Sequence, residues 1–305
     1  MKNFTNFCTA VLMLVVLVPY VFAQRKTPAA KKPVKDTIFA VVNDGKQIEP
    51  IAYIEQGTLK EIGSPDDASS AGSDFVKSHY KPKSKYKVVF GGRYVGVATV
   101  TKDLSDTECA SNQAVVSILP RNLKFKGVLM ALATSATPKK SVKGVRKRPT
   151  IAERREIETN VMMLMAAKKV PVKNIGELRY HNLTKIDVDD DGNDEFVGSY
   201  WYNTAADKRS LMFFIAQKDS AGTLTLPYTS FEEYDKSNVM SGEIESLDSG
   251  VYHELLIDVF DVDADGTGEI FTMTQGFEGS NFAVYKRSNG GWSKLFDTSN
   301  YHCGY

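Results

Sequence analysis

The sequence has 305 residues, and its formal net charge of +1 excludes neither an acidic nor a basic partner. The total conceals two opposite halves: residues 24–149 carry 23 Lys/Arg and 11 Asp/Glu, a balance of +12, whereas residues 150–305 carry 14 and 26, a balance of −12. A basic half is one indication of nucleic-acid binding. The export signal described next argues against that partner, and a solvated tether and linker explain the positive charge equally well.

The first 23 residues have the layout of a cleavable secretory signal. Lys2 precedes an apolar run from Ala10 to Val18, and a small residue, Ala23, stands before Gln24. The alternative is a membrane anchor, but the run is short and Pro19 interrupts it. We therefore expect a mature chain that is secreted or resides in the periplasm or cell envelope. We also expect no transmembrane segment after signal removal.

Two cysteines, Cys109 and Cys303, remain once the signal is removed. Disulfides persist outside the cytosol, so a pair is the favoured interpretation. Two unrelated thiols are the alternative.

The mature chain divides by composition into five parts. The first β-rich part has strand–turn–strand patterns around Asn43-Asp44-Gly45-Lys46 and Gly91-Gly92, and no motif in it indicates a function. Thr150 and Glu153 match a capping box, which predicts the start of a helix. The predicted parts are a basic tether (24–36), a β-rich domain (37–135), a basic linker (136–149), a helix (150–170) and a second β-domain (171–305).

The second β-domain contains two similar units. Each reads strand, acidic loop, strand, turn, strand, turn, strand, which predicts two four-stranded antiparallel meanders. The fold class predicted for the chain is therefore mainly β. The predicted strands are 180–187, 195–202, 210–217 and 223–228 in the first unit, and 252–261, 269–275, 281–286 and 292–296 in the second.

The acidic loops, residues 187–195 and 261–269, share the sequence motif D-x-D-x-D-G-x-x-E. Oxygen ligands at alternate positions of a tight turn can converge on one hard cation, and the shared glycine allows the bend. Clustered carboxylates also repel one another unless a cation is present. The predicted metal ligands are the side chains of Asp187, Asp189, Asp191 and Glu195 with the carbonyl of Asn193, and the side chains of Asp261, Asp263, Asp265 and Glu269 with the carbonyl of Thr267.

Two other interpretations of the loops can be compared with calcium binding. An EF-hand requires flanking helices and a glutamate at position twelve, where this chain has Gly198 and Thr272, so it is excluded. An acidic turn without metal remains open, because Asp and Gly are ordinary turn residues. We also expect Asp190 and Asp194, which fall between ligand positions, to face water.

The duplicated loops, their strand flanks and the four-stranded units resemble the FG-GAP/VCBS type of repeat found in integrin-like β-propeller blades and in secreted bacterial proteins. The resemblance covers about 120 residues of the carboxy-terminal half. It implies calcium held in a structural role by the loop residues named above. Only two units are present, fewer than a closed propeller requires, so a compact β-domain is expected instead of a ring.

No enzyme motif is found in the sequence: H-E-x-x-H and G-x-S-x-G are both missing. We therefore expect an exported calcium-binding β-protein, not an enzyme, with a structural or ligand-binding role. Its partner would be an unidentified extracellular or envelope protein or carbohydrate. The alternatives are a secreted hydrolase with a site between the two domains, and a cell-envelope adhesin whose basic tether touches anionic polymers.

Overall fold

The computed structural model describes residues 35–62, 70–107, 112–137, 144–238, 247, 253–276 and 279–302. The predicted signal, most of the tether, the middle of the linker and both cysteines lie outside these ranges. The described residues belong to one compact unit. None of the helices in the described ranges is long and apolar enough to cross a membrane.

The amino-terminal strands close into an antiparallel barrel. Strand β1 pairs with β2 on one side and β7 on the other, so the ring runs β1-β7-β4-β5-β6-β2 and returns to β1, while β3 extends β2 outside the ring. The turns predicted after Val42 and Phe90 join paired strands, as expected. The strands are β1 (Asp36–Val42), β2 (Gln47–Glu55), β3 (Thr58–Lys60), β4 (Lys85–Phe90), β5 (Arg93–Asp103), β6 (Ala114–Leu119) and β7 (Ala131–Thr134).

One helix in this half, α1 (Ser70–His79), was not predicted from the sequence. Its glycine and serines give it weak intrinsic helix propensity. Phe75 and the following Tyr80 are buried with Phe39 and Tyr86 in the barrel core, where the Phe39 and Tyr86 rings lie 4.6 Å apart. Tertiary packing therefore stabilises a helix that local propensity disfavours.

The second helix, α2 (Ile151–Ala167), has the predicted capping box: Thr150 Oγ1 accepts from Glu153 N, and Glu153 accepts from Thr150 N. It ends three residues before the predicted limit, where Lys169 takes a left-handed conformation with φ of 65°. Residues 171–178 then lead into the first meander.

The carboxy-terminal half is mainly β and contains the two predicted antiparallel meanders. The first, sheet B, has the order β11-β10-β9-β8, and the second, sheet C, has the order β12-β13-β14-β15. Their strands are β8 (Arg179–Ile186), β9 (Glu195–Ala205), β10 (Lys208–Lys218), β11 (Leu224–Asp235), β12 (Glu254–Phe260), β13 (Glu269–Gln275), β14 (Gly279–Ser288) and β15 (Gly291–Tyr301).

These sheets are apolar on both faces, and each face has a different neighbour. Phe214 of sheet B packs against Val161 of α2, while Phe213, on the opposite face of the same strand, packs with Tyr285 of sheet C. Phe271 of sheet C points the other way, into a cluster with Ile38 of the barrel. The molecule is thus layered in the order α2, sheet B, sheet C, barrel.

A buried ion pair ties these layers together. Asp258 of β12 accepts backbone N–H bonds from Gly91, Gly92 and Val259 at 2.9, 2.9 and 2.7 Å. Its Oδ2 also lies 3.6 Å from Nη1 of Arg146, whose side chain is almost fully buried. The pair therefore links the β4–β5 turn, the segment before α2 and sheet C.

Candidate metal centre

The two acidic loops occupy equivalent places in the two meanders. Residues 187–194 join β8 to β9, and residues 261–268 join β12 to β13. The loops are also neighbours, because Gly268 N donates to Val188 O at 2.7 Å. The sequence repeat therefore produces two adjacent acidic turns on one side of the sheet pair.

The loops share a backbone conformation as well as a sequence. In both, the fourth residue is left-handed, Asp190 at φ 62° and Ala264 at φ 66°, and the sixth is a glycine, Gly192 at φ 90° and Gly266 at φ 98°. Left-handed backbone is readily accessible to glycine and strained for most other residues. The sequence motif that the two loops share thus specifies the same chain path twice.

Backbone N–H groups orient the carboxylates in the same way in each loop. The glycine N–H donates to the first aspartate, Gly192 to Asp187 at 3.0 Å and Gly266 to Asp261 at 3.1 Å. Position seven donates to position five, at 2.7 Å from Asn193 to Asp191 and 2.8 Å from Thr267 to Asp265. The closing glutamates, Glu195 and Glu269, accept from Val188 and Val262 at 3.1 and 2.8 Å.

Each loop brings three of its predicted carboxylate ligands together. Oxygens of Asp187, Asp189 and Glu195 lie within 4.8 Å of one another in the first loop. The second trio is Asp261, Asp263 and Asp265. Asp191 and Glu269 belong to the loops without joining these trios, so the two loops converge on slightly different sets.

Electrostatics inside the loops favour a bound cation. Burial, together with a smaller effect of the nearby Asp189, raises the pKa of Glu195 to about 8, and burial together with a smaller effect of Asp263 raises the pKa of Glu269 to about 7. Burial also raises the pKa of Asp261. A carboxylate with these surroundings is stabilised in its charged form by a nearby positive charge.

Two basic side chains from β14, which sequence reasoning missed, supply part of that charge. Lys286 Nζ contacts Asp263, and lies 2.8 Å from Asp265 Oδ2 and 3.2 Å from Glu269 Oε1. Arg287 Nη1 lies 2.6 Å from Asp189 Oδ2 and 3.4 Å from Glu195 Oε1 in the other loop. Consecutive residues of a strand point to opposite faces of the sheet. Lys286 and Arg287 can therefore each contact a different acidic loop.

The two aspartates that fall between the predicted ligand positions, Asp190 and Asp194, differ in their exposure to solvent. Asp190 is exposed, as expected. The expectation that Asp194 faces water is wrong: its side chain is only 16% exposed and pairs with Lys147 at 3.1 Å and Lys185 at 3.4 Å. Its charge is used to hold the segment before α2 and strand β8 together.

The residues present fit a hard divalent cation. Each loop offers four carboxylates against one basic side chain from β14. In the second loop, Asp261 Oδ1 is buried and accepts no hydrogen bond from the described residues. A buried carboxylate oxygen without a donor is energetically costly, and a cation would satisfy it. All-oxygen donor sets on flexible loops suit Ca²⁺ better than softer metals.

A second polar cluster lies where the barrel meets sheet C and bears on the hydrolase alternative. Glu49, only 1% exposed, is 2.9 Å from His302 Nε2 and accepts from Ser280 Oγ at 3.4 Å and from Gln113 Nε2 at 3.3 Å. A nucleophilic serine requires the imidazole as its neighbour, with the carboxylate behind it. Here the carboxylate stands between the serine and the histidine, so the order differs from that of a catalytic triad.

Comparisons with protein-family models, curated proteins and solved structures found no match to this chain. The resemblance to FG-GAP/VCBS repeats therefore stays a prediction from the residues of the loops and their flanks. The fold and the candidate centre themselves define a mainly β protein with paired Asp-rich loops.

Proposed function

We propose that this protein is an exported calcium-binding β-protein in which two Ca²⁺ ions order the adjacent acidic loops and stabilise the stacked meanders. The role is structural or ligand-binding, with a partner outside the cytosol. Asp187, Asp189, Asp191 and Glu195 would hold one ion and Asp261, Asp263, Asp265 and Glu269 the other, with the carbonyls of Asn193 and Thr267.

The observation that carries the proposal is the double occurrence of one arrangement. The two loops have the same sequence motif, the same backbone conformation and the same backbone N–H hydrogen bonds to their carboxylates. An acidic turn that needed no metal would not have to place three carboxylates within 4.8 Å of one another in both copies. The buried oxygen of Asp261 adds an unmet requirement for a positive partner.

The test is the melting temperature of the purified protein in 1 mM calcium and in a calcium chelator. With dissociation constants of about 10 µM, each site contributes about 2.7 kcal/mol at that concentration. Two such sites raise the melting temperature by roughly 10 °C or more for a chain of this size. Isothermal titration should show two calcium sites per chain.

Two controls make the result specific. Asp189→Ala/Asp263→Ala removes one central carboxylate from each loop and should abolish the calcium-dependent rise. Asp190→Ala removes an exposed acidic group of the first loop and should keep it. Magnesium at the same concentration should stabilise less, since it demands stricter octahedral geometry. An unchanged melting temperature in calcium would show that the loops are metal-free turns.

A further inference from the structure

A basic cleft lies on the side of the molecule where the barrel, the segment before α2 and sheet B meet. It has a volume of about 760 Å³, within the range of small-molecule sites. Its basic lining residues are Lys126, Arg146, Lys147, Arg148 and Arg154. No aspartate or glutamate is among the described residues that line it.

The charge of this cleft is only partly compensated. Arg146 pairs with Asp258, Lys147 with Asp194, and Arg154 with Glu158, all through acidic groups outside the lining. The side chains of Lys126 and Arg148 are exposed and form no hydrogen bond or ion pair with any residue that the structure describes. The cleft therefore retains a local positive charge directed at solvent.

Two buried guanidinium donors in the lining also lack an acceptor. Nε of Arg146 and Nε of Arg154 are both buried and make no hydrogen bond within the described residues. The nearest carboxylate oxygen to the latter, Glu158 Oε1 at 3.4 Å, is an ion-pair contact without hydrogen-bond geometry. Buried donors are nearly always paired in folded proteins, so these two groups add to the excess of donors over acceptors around the cleft.

Most of the remaining lining is apolar. Val128, Leu129 and Tyr180 line the cleft and are 41%, 38% and 41% exposed, which is high for large apolar side chains. The Tyr180 ring faces the Arg154 guanidinium at 5.7 Å. A ligand that is only a small inorganic anion would leave this surface in water.

We propose that the cleft binds a small organic anion, with a phosphate or carboxylate group on the arginine and lysine side chains and an apolar or aromatic body against Val128, Leu129 and Tyr180. Charge complementarity selects the anionic group, and the exposed apolar wall selects the body. None of the described lining residues is a predicted calcium ligand, so binding to the cleft can be tested apart from calcium.

The test uses phenyl phosphate as the probe, with inorganic phosphate and phenol as the two halves of its chemistry. Binding is followed by isothermal titration after calcium and chelator have both been removed from the purified protein by dialysis. Phenyl phosphate should bind saturably and more tightly than either half. Lys126→Gln/Arg148→Gln should weaken it by about tenfold or more, because two charged contacts are lost.

Matched variants separate this site from general attraction to a basic surface. Lys102→Gln/Arg121→Gln removes the same charge from exposed positions outside the cleft and should leave phenyl phosphate affinity unchanged. Val128→Asn should weaken phenyl phosphate while leaving inorganic phosphate unaffected. Equal effects of the two double variants, or no saturable binding of phenyl phosphate by the wild-type protein, would overturn the proposal.

Discussion

If the second acidic loop binds calcium as proposed, Lys286 competes with the ion, and removing this lysine should strengthen calcium binding there. Its ammonium lies 2.8 Å from Asp265 Oδ2 and 3.2 Å from Glu269 Oε1, and its side chain is 24% exposed. In a water-like dielectric these two contacts are worth about 1.5 and 1.3 kcal/mol. Because ordering a long side chain offsets part of this energy, Lys286→Met should raise calcium affinity by about tenfold to a hundredfold.

Isothermal titration in an Asp189→Ala background, which disables the first loop, isolates this effect. Lys286→Met should also melt at a lower temperature than the parent in a chelator, because the carboxylates lose their internal cation, and show a larger calcium-dependent rise. Lys294→Met removes a lysine from the neighbouring strand of the same sheet and is the matched control. If calcium affinity stays the same or falls in Lys286→Met, the ammonium does not occupy the metal position.

Three further results are expected. Asp258→Ala should lower the free energy of unfolding by about 3–5 kcal/mol in urea denaturation, because it leaves the buried Arg146 without its counter-ion and three N–H groups without their acceptor, whereas the exposed Asp297→Ala should stay within about 0.5 kcal/mol of wild type. The hydrogen bond to Glu49 raises the pKa of His302 above its ordinary value of 6.5. The pair therefore stabilises the fold fully below pH 6.5, and this stabilisation is lost as the pH rises through the raised pKa of His302 in the folded protein. In urea denaturation, His302→Gln should therefore lower the free energy of unfolding at about pH 5.5 and leave it nearly unchanged at about pH 9. The same loss of stability at both pH values would contradict the pairing. Gly144→Ala would place a Cβ 2.5 Å from a backbone carbonyl of the first loop, so titration should show weaker calcium binding there and unchanged binding at the second loop.

The carboxy-terminal half could be predicted well because its signals are local. The acidic motif, the turn glycines and the apolar strand residues all lie within a few residues of the structures that they specify. Both meanders have the predicted strand order. The capping box at Thr150 is equally local. These features require no knowledge of distant contacts.

Long-range contacts account for what the sequence did not reveal. Barrel closure depends on pairing Ile38 with Thr134, which are far apart in the chain. Helix α1 forms because Phe75 fills the barrel core, and Lys286 and Arg287 reach loops that lie up to 98 residues away. The basic cleft is assembled from separate segments, so no local window of sequence contains it.

The layering of α2, sheet B, sheet C and barrel limits the number of stacked meanders to two. Each inner face is used by the partner sheet, and each outer face is already covered, by α2 at one end and by the barrel at the other. A third four-stranded sheet, or a second copy of the chain, could join by face-to-face stacking only after α2 or the barrel was removed from its end of the stack. The pair is thus a terminated stack, protected at both ends from the open-ended addition to which repeat arrays are prone.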